Sequence, residues 1–240
     1  MLSIVFAMLL AQPQGCGSNG KALVATARAR ADAFDLSGAA ESFAAPAAAG
    51  CTEARLAAVY LRGLVAARAA YPFGGSRESI TPVERALAEL DRDPLRSLAE
   101  TQIVRFVLQA AIAASQSERE EVALLIDHAI DLEAQRRSAG LSGAPVVTAV
   151  EVAGDLWLQV HRYDDARRAY ARAADRVGRT PRVVLGLART AVRLFDWPTA
   201  CAEYKALVAS WRSAGQPLEI GEAQTFLREP MCRALKPTTP

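Results

Sequence analysis

The two histidines of the chain, His128 and His161, are the first residues to consider for metal binding or catalysis. His128 lies beside Asp127 and Asp131, and residues three apart share one face of a helix. A histidine and a carboxylate on one face could approach the same metal ion, but no third ligand follows at a helical spacing, and protein sites generally use three or four ligands. We therefore expect no metal site here, and we expect His161 to face solvent in a turn.

Adjacent carboxylates can act as an acid and a base, and two such clusters occur. One is Asp164 and Asp165; the other is Glu118, Glu120 and Glu121. Each cluster stands where a helix is predicted to begin, and negative charge at that end complements the helix dipole. The sequence also lacks the G-x-S-x-G, H-E-x-x-H and phosphate-binding glycine motifs. It therefore predicts no catalytic residues and no cofactor.

Three arginines form the strongest candidate for a binding surface. Arg182, Arg189 and Arg193 are spaced i, i+7 and i+11, which places them on one face of a helix. The guanidinium group binds carboxylates through two parallel hydrogen bonds. The face could therefore bind an acidic or carboxylate-bearing peptide, or its arginines could pair with acidic residues of the chain itself.

The composition indicates a folded, helical protein. Of 240 residues 51% are hydrophobic, and 28 Lys and Arg against 26 Asp and Glu leave a net charge of +2. This balance argues against disorder and against a surface dedicated to nucleic acid. Strong helix formers dominate and no segment is predicted to be a strand, so the predicted fold class is all-α.

Four cysteines allow three pairings, and the order of the predicted helices favours one of them. Cys16 and Cys51 flank the first two predicted helices, 20–34 and 38–48, so a hairpin would bring them together at its open end. Cys201 lies near the start of a later helix, and Cys232 lies just past the end of the next one. We predict disulfides Cys16–Cys51 and Cys201–Cys232, which persist in oxidising compartments.

The amino-terminal sequence also indicates an oxidising compartment outside the cytoplasm. Leu2–Ala11 is uncharged and almost wholly apolar; it is too short to span a bilayer but has the length of a secretory signal's hydrophobic region. The usual basic residue before such a region is absent. The alternative is a buried first helix in a cytoplasmic protein. We expect export to the periplasm or the exterior of a bacterium, with membrane association only if Cys16 carries a lipid. Nothing in the sequence indicates an oligomeric state.

Helix boundaries in the middle of the chain are marked by capping motifs. The capping boxes at Thr81–Glu84 and Ser117–Glu120 predict two helix starts. Breaks are predicted at Tyr71–Ser79 and Gly140–Pro145, and residues 218–229 are predicted to form a last amphipathic helix.

The second half contains a tandem repeat. Val147–Thr180 and Pro181–Ala214 align as contiguous 34-residue units. The matched pairs are Gly154 and Ala188, Trp157 and Ala191, Tyr163 and Trp197, Ala166 and Ala200, Tyr170 and Tyr204, and Ala173 and Leu207. This pattern resembles the tetratricopeptide repeat (TPR). The resemblance implies a right-handed superhelical stack of antiparallel helix hairpins, with Gly154 small so that Ala166 can approach, and Tyr170 beneath the next repeat.

Less regular copies of the same frame cover residues 23–43 and 103–136. The predicted organisation is a signal-like segment at 1–11, degenerate TPR-like hairpins at 12–140, two tandem repeats at 141–214, and a capping helix with a tail at 215–240.

In the TPR family the first helices of successive repeats line a concave groove that holds a peptide or a partner helix. The resemblance places ten residues of this chain in that groove: Thr148, Glu151, Asp155, Leu158, Gln159, Arg182, Leu185, Arg189, Val192 and Arg193. Glu151 and Asp155 would then face the arginines across the groove.

The leading hypothesis is a non-catalytic scaffold in the bacterial envelope that binds a protein or peptide. One alternative is a divergent enzyme that uses the groove arginines with Glu151 or Asp155 as base, marked by a raised carboxylate pKa. Another alternative is a structural subunit that self-assembles through an apolar end face.

Overall fold

A computed structural model describes residues 20–70, 79–93, 97–141, 143–211 and 216–234. The segment 1–11, Cys16, most of the predicted loop Tyr71–Ser79 and the predicted tail lie outside the described residues. Every regular element in the described residues is an α-helix, in agreement with the predicted class. The helices are α1 (Gly20–Asp32), α2 (Leu36–Glu41), α3 (Ala44–Ala48), α4 (Thr52–Ala70), α5 (Thr81–Arg92), α6 (Ala99–Ser115), α7 (Arg119–Ser138), α8 (Ala149–Gln159), α9 (Tyr163–Val177), α10 (Pro181–Arg193), α11 (Trp197–Ser210), α12 (Leu218–Phe226) and α13 (Pro230–Arg233).

The helices pack as consecutive pairs. The most extensive contacts are between α6 and α7, α8 and α9, and α10 and α11. The second helix of each pair also contacts the first helix of the next: α7 contacts α8, α9 contacts α10, and α11 contacts α12. Helices α4, α6, α8 and α10 contact one another in sequence order, so the first helices of successive pairs lie side by side.

The same turn joins the two helices in four pairs. In each, a non-glycine residue has φ between 58° and 64°: Phe34, Ser117, His161 and Phe195. In the α8–α9 turn, the N–H of His161 donates to Leu158 O at 3.2 Å and the N–H of Arg162 donates to Trp157 O at 2.9 Å. The other three turns make hydrogen bonds at the same spacings, a pattern that satisfies the last carbonyls of the first helix.

The predicted capping boxes are wrong, although the helices they marked are present. Helix α5 spans Thr81–Arg92, but its N-cap is Ile80, whose side chain makes no capping hydrogen bond; the first N–H, of Thr81, donates instead to Ser79 Oγ at 3.2 Å. Helix α7 has Glu118 as N-cap, also without a side-chain hydrogen bond. Ser117 has a left-handed backbone because it belongs to the turn after α6, and this turn geometry replaces the capping box.

The amino-terminal part also differs from the prediction. The predicted second helix, 38–48, is two short helices, α2 and α3, and Pro46 lies within α3. The 19-residue helix α4 was not predicted. Buried residues point in several directions around α4, so its sequence lacks the one-sided apolar stripe that marks a surface helix.

Glycines in the tandem repeats make room for a tyrosine. A Cβ added to Gly154 would lie 2.6 Å from the ring of Tyr170, and one added to Gly186 would lie 2.2 Å from the same ring. The buried Tyr170 ring therefore packs against the backbones of both α8 and α10. The position of Tyr170 beneath the next pair is as predicted, but the nearest neighbour that requires Gly154 is Tyr170 rather than Ala166.

The predicted disulfide Cys201–Cys232 is present, with a Cα–Cα distance of 5.5 Å, and it ties α11 to α13. The other predicted pair includes Cys16, outside the described residues; Cys51 is buried at the start of α4. In the described part of the chain, no helix is long and apolar enough to cross a membrane.

Candidate functional site

A cavity of about 730 Å³ lies along the first helices of the pairs. Helices α4, α8 and α10 form its walls. The turn after α1 and the start of α12 also border it. Eight of the ten predicted groove residues line it: Glu151, Asp155, Leu158, Gln159, Arg182, Leu185, Arg189 and Arg193. Thr148 is instead the N-cap of α8. Val192 packs against a cluster of buried residues from α10, α11 and α12.

Glu151 is held by an arginine that the sequence analysis did not identify. Both carboxylate oxygens of Glu151 accept from Arg28 of α1 at 2.8 Å, and Oε2 also accepts from Thr148 Oγ1 at 2.8 Å. The Glu151 side chain is 2% exposed. Burial alone would raise its pKa, but the hydrogen bonds and charge of Arg28 hold the pKa below the usual value. Glu151 is therefore an ionised structural partner of Arg28.

Asp155 and Arg182 form a looser pair across α8 and α10. Arg182 Nη2 lies 3.3 Å from Asp155 Oδ2, and the Tyr170 hydroxyl donates to Asp155 Oδ1 at 2.5 Å. The Asp155 side chain is 54% exposed, whereas that of Arg182 is 10% exposed. Burial and the charge of Asp155 raise the pKa of Tyr170 well above its usual value. This is the pairing between groove arginine and groove carboxylate that the sequence offered as the alternative to ligand binding.

The next helix pair repeats this arrangement with the charges exchanged. Arg189 of α10 donates to both oxygens of Glu222 of α12, at 3.0 and 2.6 Å, and the Tyr204 hydroxyl donates to Glu222 Oε1 at 2.7 Å. Arg189 occupies the repeat position that Asp155 holds in the preceding unit. Burial lowers the pKa of Arg189, but the hydrogen bonds and charge of Glu222 raise it. The combined effect is a pKa above the usual value.

Arg68 of α4 adds a third pair, with Glu219 of α12. Burial, together with the positive charges of Arg182 and Arg189, lowers the pKa of Arg68. The described residues that line the cavity therefore include Arg68, Arg182, Arg189 and Arg193 among carboxylates. The cavity is not a uniformly cationic groove, because its arginines alternate with acidic partners.

The last three residues of the connection from α7 to α8, 146–148, are buried, and side chains bond to this part of the chain. Glu133 Oε1 accepts from Ala144 N at 3.1 Å, Arg28 Nη1 donates to Val146 O at 2.9 Å, and Tyr60 Oη donates to Val147 O at 3.0 Å. Buried backbone polar groups need such partners because water does not reach them. Glu133 is itself fully buried, and burial raises its pKa. These polar residues therefore position the start of α8 beside the cavity.

The histidines have local partners. His128 Nδ1 lies 2.7 Å from Leu124 O, and its ring packs against Phe106 at a centroid distance of 5.5 Å. His161 lies in the α8–α9 turn, where its Nδ1 lies 2.7 Å from the Tyr163 hydroxyl. His161 borders the cavity, whereas His128 does not.

Comparison of the chain with models of protein families, with curated proteins and with solved structures finds no match. The functional argument therefore depends on the geometry of the helix pairs and of the cavity.

Proposed function

We propose that this protein is a non-catalytic, TPR-like interaction scaffold that binds a segment of a partner protein in the cavity. The observation that carries the proposal is the position of the cavity on the first helices of successive pairs. The repeated left-handed turn supports a repeat architecture, since four helix pairs use the same connection. A right-handed superhelical stack is the arrangement that this resemblance implies.

The size and lining of the cavity indicate what kind of segment would fit. Its volume of about 730 Å³ lies within the usual range of ligand pockets, so only a few residues of a partner would enter. Apolar side chains from α4, α8 and α10 line part of the wall: Leu64, Val65, Val152, Leu158, Val183 and Leu185. A short peptide with apolar side chains and a few polar anchors is the expected occupant.

The enzyme hypothesis is weakened at one of its two candidate bases, Glu151. A catalytic base at Glu151 would need a raised pKa, and the pKa of Glu151 is lowered because Arg28 binds both of its oxygens. We therefore propose a structural role for Glu151, as the partner of Arg28.

The proposal includes export to the bacterial envelope. The Cys201–Cys232 disulfide supports it, because such bonds persist mainly in oxidising compartments. The apolar segment Leu2–Ala11 supports it from the sequence.

The test is an affinity pull-down from native envelope extract with three forms of the protein as bait. Leu158→Trp places a larger side chain in the cavity, and Leu124→Trp places the same side chain on the exposed face of α7, away from it. The scaffold proposal predicts a partner that wild type and Leu124→Trp retain and that Leu158→Trp loses. Equal retention by all three folded baits would contradict binding in the cavity.

A further inference from the structure

We propose that this protein docks on an anionic lipid surface through the turn between α10 and α11 and the end of α12. The contact is made by three aromatic residues, Phe195, Trp197 and Phe226, which we call the aromatic tip. None of the three lines the cavity, so the inference goes beyond the proposed function and does not depend on an occupant of the cavity. It also supplies a route to the membrane that needs no lipid on Cys16.

Phe195 combines two features that do not stabilise the fold. It is 75% exposed, so its ring gains little from burial. Its φ of 58° lies in the left-handed region, where a residue with a Cβ is disfavoured relative to glycine. A strained and exposed aromatic residue indicates a role in recognition rather than in the core.

The exposed ring stands on a row of aromatic rings that leads into the core. Phe195 meets Trp197 edge to face at a centroid distance of 5.6 Å, and Trp197 lies 6.4 Å from Phe226. Phe226 in turn lies 4.9 Å from the buried Tyr204. The aromatic tip is therefore held in place before any partner binds, which reduces the entropy lost on binding.

Exposed arginines accompany the aromatic tip. Arg193 ends α10, Arg228 follows α12, and Arg233 ends α13. Arg228 donates to Thr225 Oγ1 at 3.2 Å, and Arg233 donates to the carbonyl of Arg228 at 2.5 Å. Within the described part of the chain these two side chains form no ion pair, so their charge is directed at solvent.

The disulfide places this positive charge beside the aromatic tip. Cys201 is one helical turn from Trp197 in α11, and its partner Cys232 is next to Arg233 in the chain. The covalent bond therefore keeps the end of α13 close to the first turn of α11.

The charges are arranged unevenly over the molecule. Two carboxylates occur in the turns of the aromatic tip: Asp196, whose Oδ1 accepts from Thr199 N at 3.2 Å and caps α11, and the exposed Glu229. The three arginines outnumber them. The start of α7 has the opposite sign, with three exposed glutamates and one arginine: Glu118, Glu120, Glu121 and Arg119. An anionic surface would therefore attract the aromatic tip and repel the start of α7.

A lipid surface matches these features better than a partner protein does. Phe195 projects from a turn, and a protein would need a complementary pocket for its ring, whereas the interfacial region of a bilayer accepts aromatic side chains without one. The neighbouring arginines can meet lipid phosphates while their aliphatic stems lie along the apolar surface.

The experiment measures sedimentation of the full, oxidised chain with vesicles of mixed phosphatidylcholine and phosphatidylglycerol, and with vesicles of phosphatidylcholine alone. We expect tighter binding to the anionic vesicles. Phe195→Ser is expected to weaken that binding by about tenfold, because the inserted ring is lost. Leu124→Ser removes another exposed apolar side chain, on α7, and is the control that should keep the wild-type affinity.

A pair of double variants tests the role of charge. Arg228→Glu with Arg233→Glu is expected to weaken binding to anionic vesicles by at least about tenfold, since each basic residue near such a surface contributes about fivefold. Arg172→Glu with Lys205→Glu changes the net charge equally on exposed positions of α9 and α11, and its effect should be much smaller.

Quenching of tryptophan fluorescence by brominated lipid assigns the contact to the aromatic tip rather than to the apolar segment Leu2–Ala11. The chain has three tryptophans, and Trp197→Phe is expected to remove most of the quenching.

No vesicle binding, equal affinities of wild type and Phe195→Ser, equal losses in the two double variants, or quenching that survives Trp197→Phe would each overturn the proposal. Absence of vesicle binding together with a protein crosslinked from p-benzoylphenylalanine at position 195 would assign the aromatic tip to a partner protein instead. The scaffold proposal is tested separately, in the cavity, so the two failures are distinguishable.

Discussion

At the residue scale, Arg28 makes the most consequential single contact near the cavity. It neutralises the buried Glu151 and satisfies the carbonyl of Val146, a residue whose φ of 68° is unusual for a β-branched side chain. One side chain of α1 therefore fixes both the start of α8 and the segment that leads into it.

We predict that Arg28→Ala lowers the free energy of unfolding by about 3–5 kcal/mol, because it leaves the Glu151 carboxylate buried without its cation. Urea denaturation followed by circular dichroism measures the effect. Arg62→Ala, which breaks an exposed pair, is the control and is expected to cost at most about 1 kcal/mol. An Arg28→Ala variant no less stable than the control would contradict the structural role of the pair.

Two buried glutamates are predicted to affect stability with opposite pH dependence. The pKa of Glu151 is lower in the folded chain than in the unfolded chain, so its contribution is present above its unfolded pKa and is lost as pH falls through the folded pKa. The pKa of Glu133 is raised by burial, so ionisation of Glu133 destabilises the fold as pH rises from its unfolded pKa through its folded pKa.

The measurement is the free energy of unfolding against pH from 3 to 7 for wild type, Glu151→Gln and Glu133→Gln. Relative to wild type, Glu151→Gln should lose most stability at pH 7 and less at acid pH. Glu133→Gln should compare most favourably with wild type at pH 7, because it removes a buried charge. The same direction of pH dependence for both variants would refute the assigned shifts.

At the element scale, the left-handed residue in each turn is a source of strain. A non-glycine residue with positive φ is disfavoured by about 1 kcal/mol relative to glycine. Ser117→Gly is therefore predicted to raise the free energy of unfolding by about 0.5–1 kcal/mol. Ser117→Ala retains a Cβ and should give no such gain. Thermal denaturation of both variants is the measurement, and a stabilised Ser117→Ala would show that backbone strain is not the cause.

The packing of α8 against α10 gives a second prediction at this scale. Gly186→Ala would bring a Cβ to 2.2 Å from the buried Tyr170 ring, so we expect a loss of about 1–3 kcal/mol. Gly221→Ala in α12 meets nothing within 4 Å and should instead gain about 0.5–1 kcal/mol from helix propensity. Chemical denaturation of the two variants should show changes of opposite sign; equal changes would mean that Tyr170 does not limit the approach of the two helices.

The elements that could be predicted from sequence are those with local signals. Pro181 and Pro198 stand near helix starts, and the aromatic and small residues of the tandem units recur every 34 residues, so α8 to α11 were predictable. Helix α4 lacks a one-sided pattern because it packs against α2, α3, α5 and α6, and it was not predicted. Turn geometry at Ser117 depends on the preceding helix, so its resemblance to a capping box was misleading.

In the candidate site, too, features with a local sequence signal were predicted and features that depend on long-range packing were not. Most of the groove positions were predicted because the repeat frame fixes which face of α8 and α10 is inward. The sequence also offered the pairing of a groove arginine with Asp155. The partners from other parts of the chain were not predicted, because Arg28 and Glu151 are 123 residues apart in the chain and Arg68 and Glu219 are 151 apart. No local pattern records a pairing over that distance, and only the packing of whole helices determines it.

At the scale of the whole molecule, contacts far apart in sequence join the two halves around the cavity. The ring of Phe34 stacks on Trp211 at 5.6 Å, and Arg68 pairs with Glu219. The turn after α1 and helix α4 are thus in direct contact with the carboxyl-terminal part of the chain. We expect the cavity and the core to unfold together rather than as separate units.

The disulfide at the carboxyl-terminal end is predicted to stabilise this arrangement. It closes a loop with a sequence separation of 31 residues, which in the chain-entropy account is worth about 3–4 kcal/mol. The Cys201→Ser, Cys232→Ser double variant should lower the free energy of unfolding by about that amount under non-reducing conditions. Unchanged stability in urea denaturation would mean that the bond adds nothing to the packing of α11 with α13.

The measurement that tests the central claim most directly is site-specific photo-crosslinking in native envelope extract. One form carries p-benzoylphenylalanine in place of Gln159, which lines the cavity; the matched form carries it in place of Arg172, which is exposed on α9 away from the cavity. The scaffold account predicts a discrete crosslinked partner from position 159 that is absent from position 172 and that the Leu158→Trp substitution abolishes. The same crosslinks from both positions, or none from position 159 of a correctly folded protein, would contradict it.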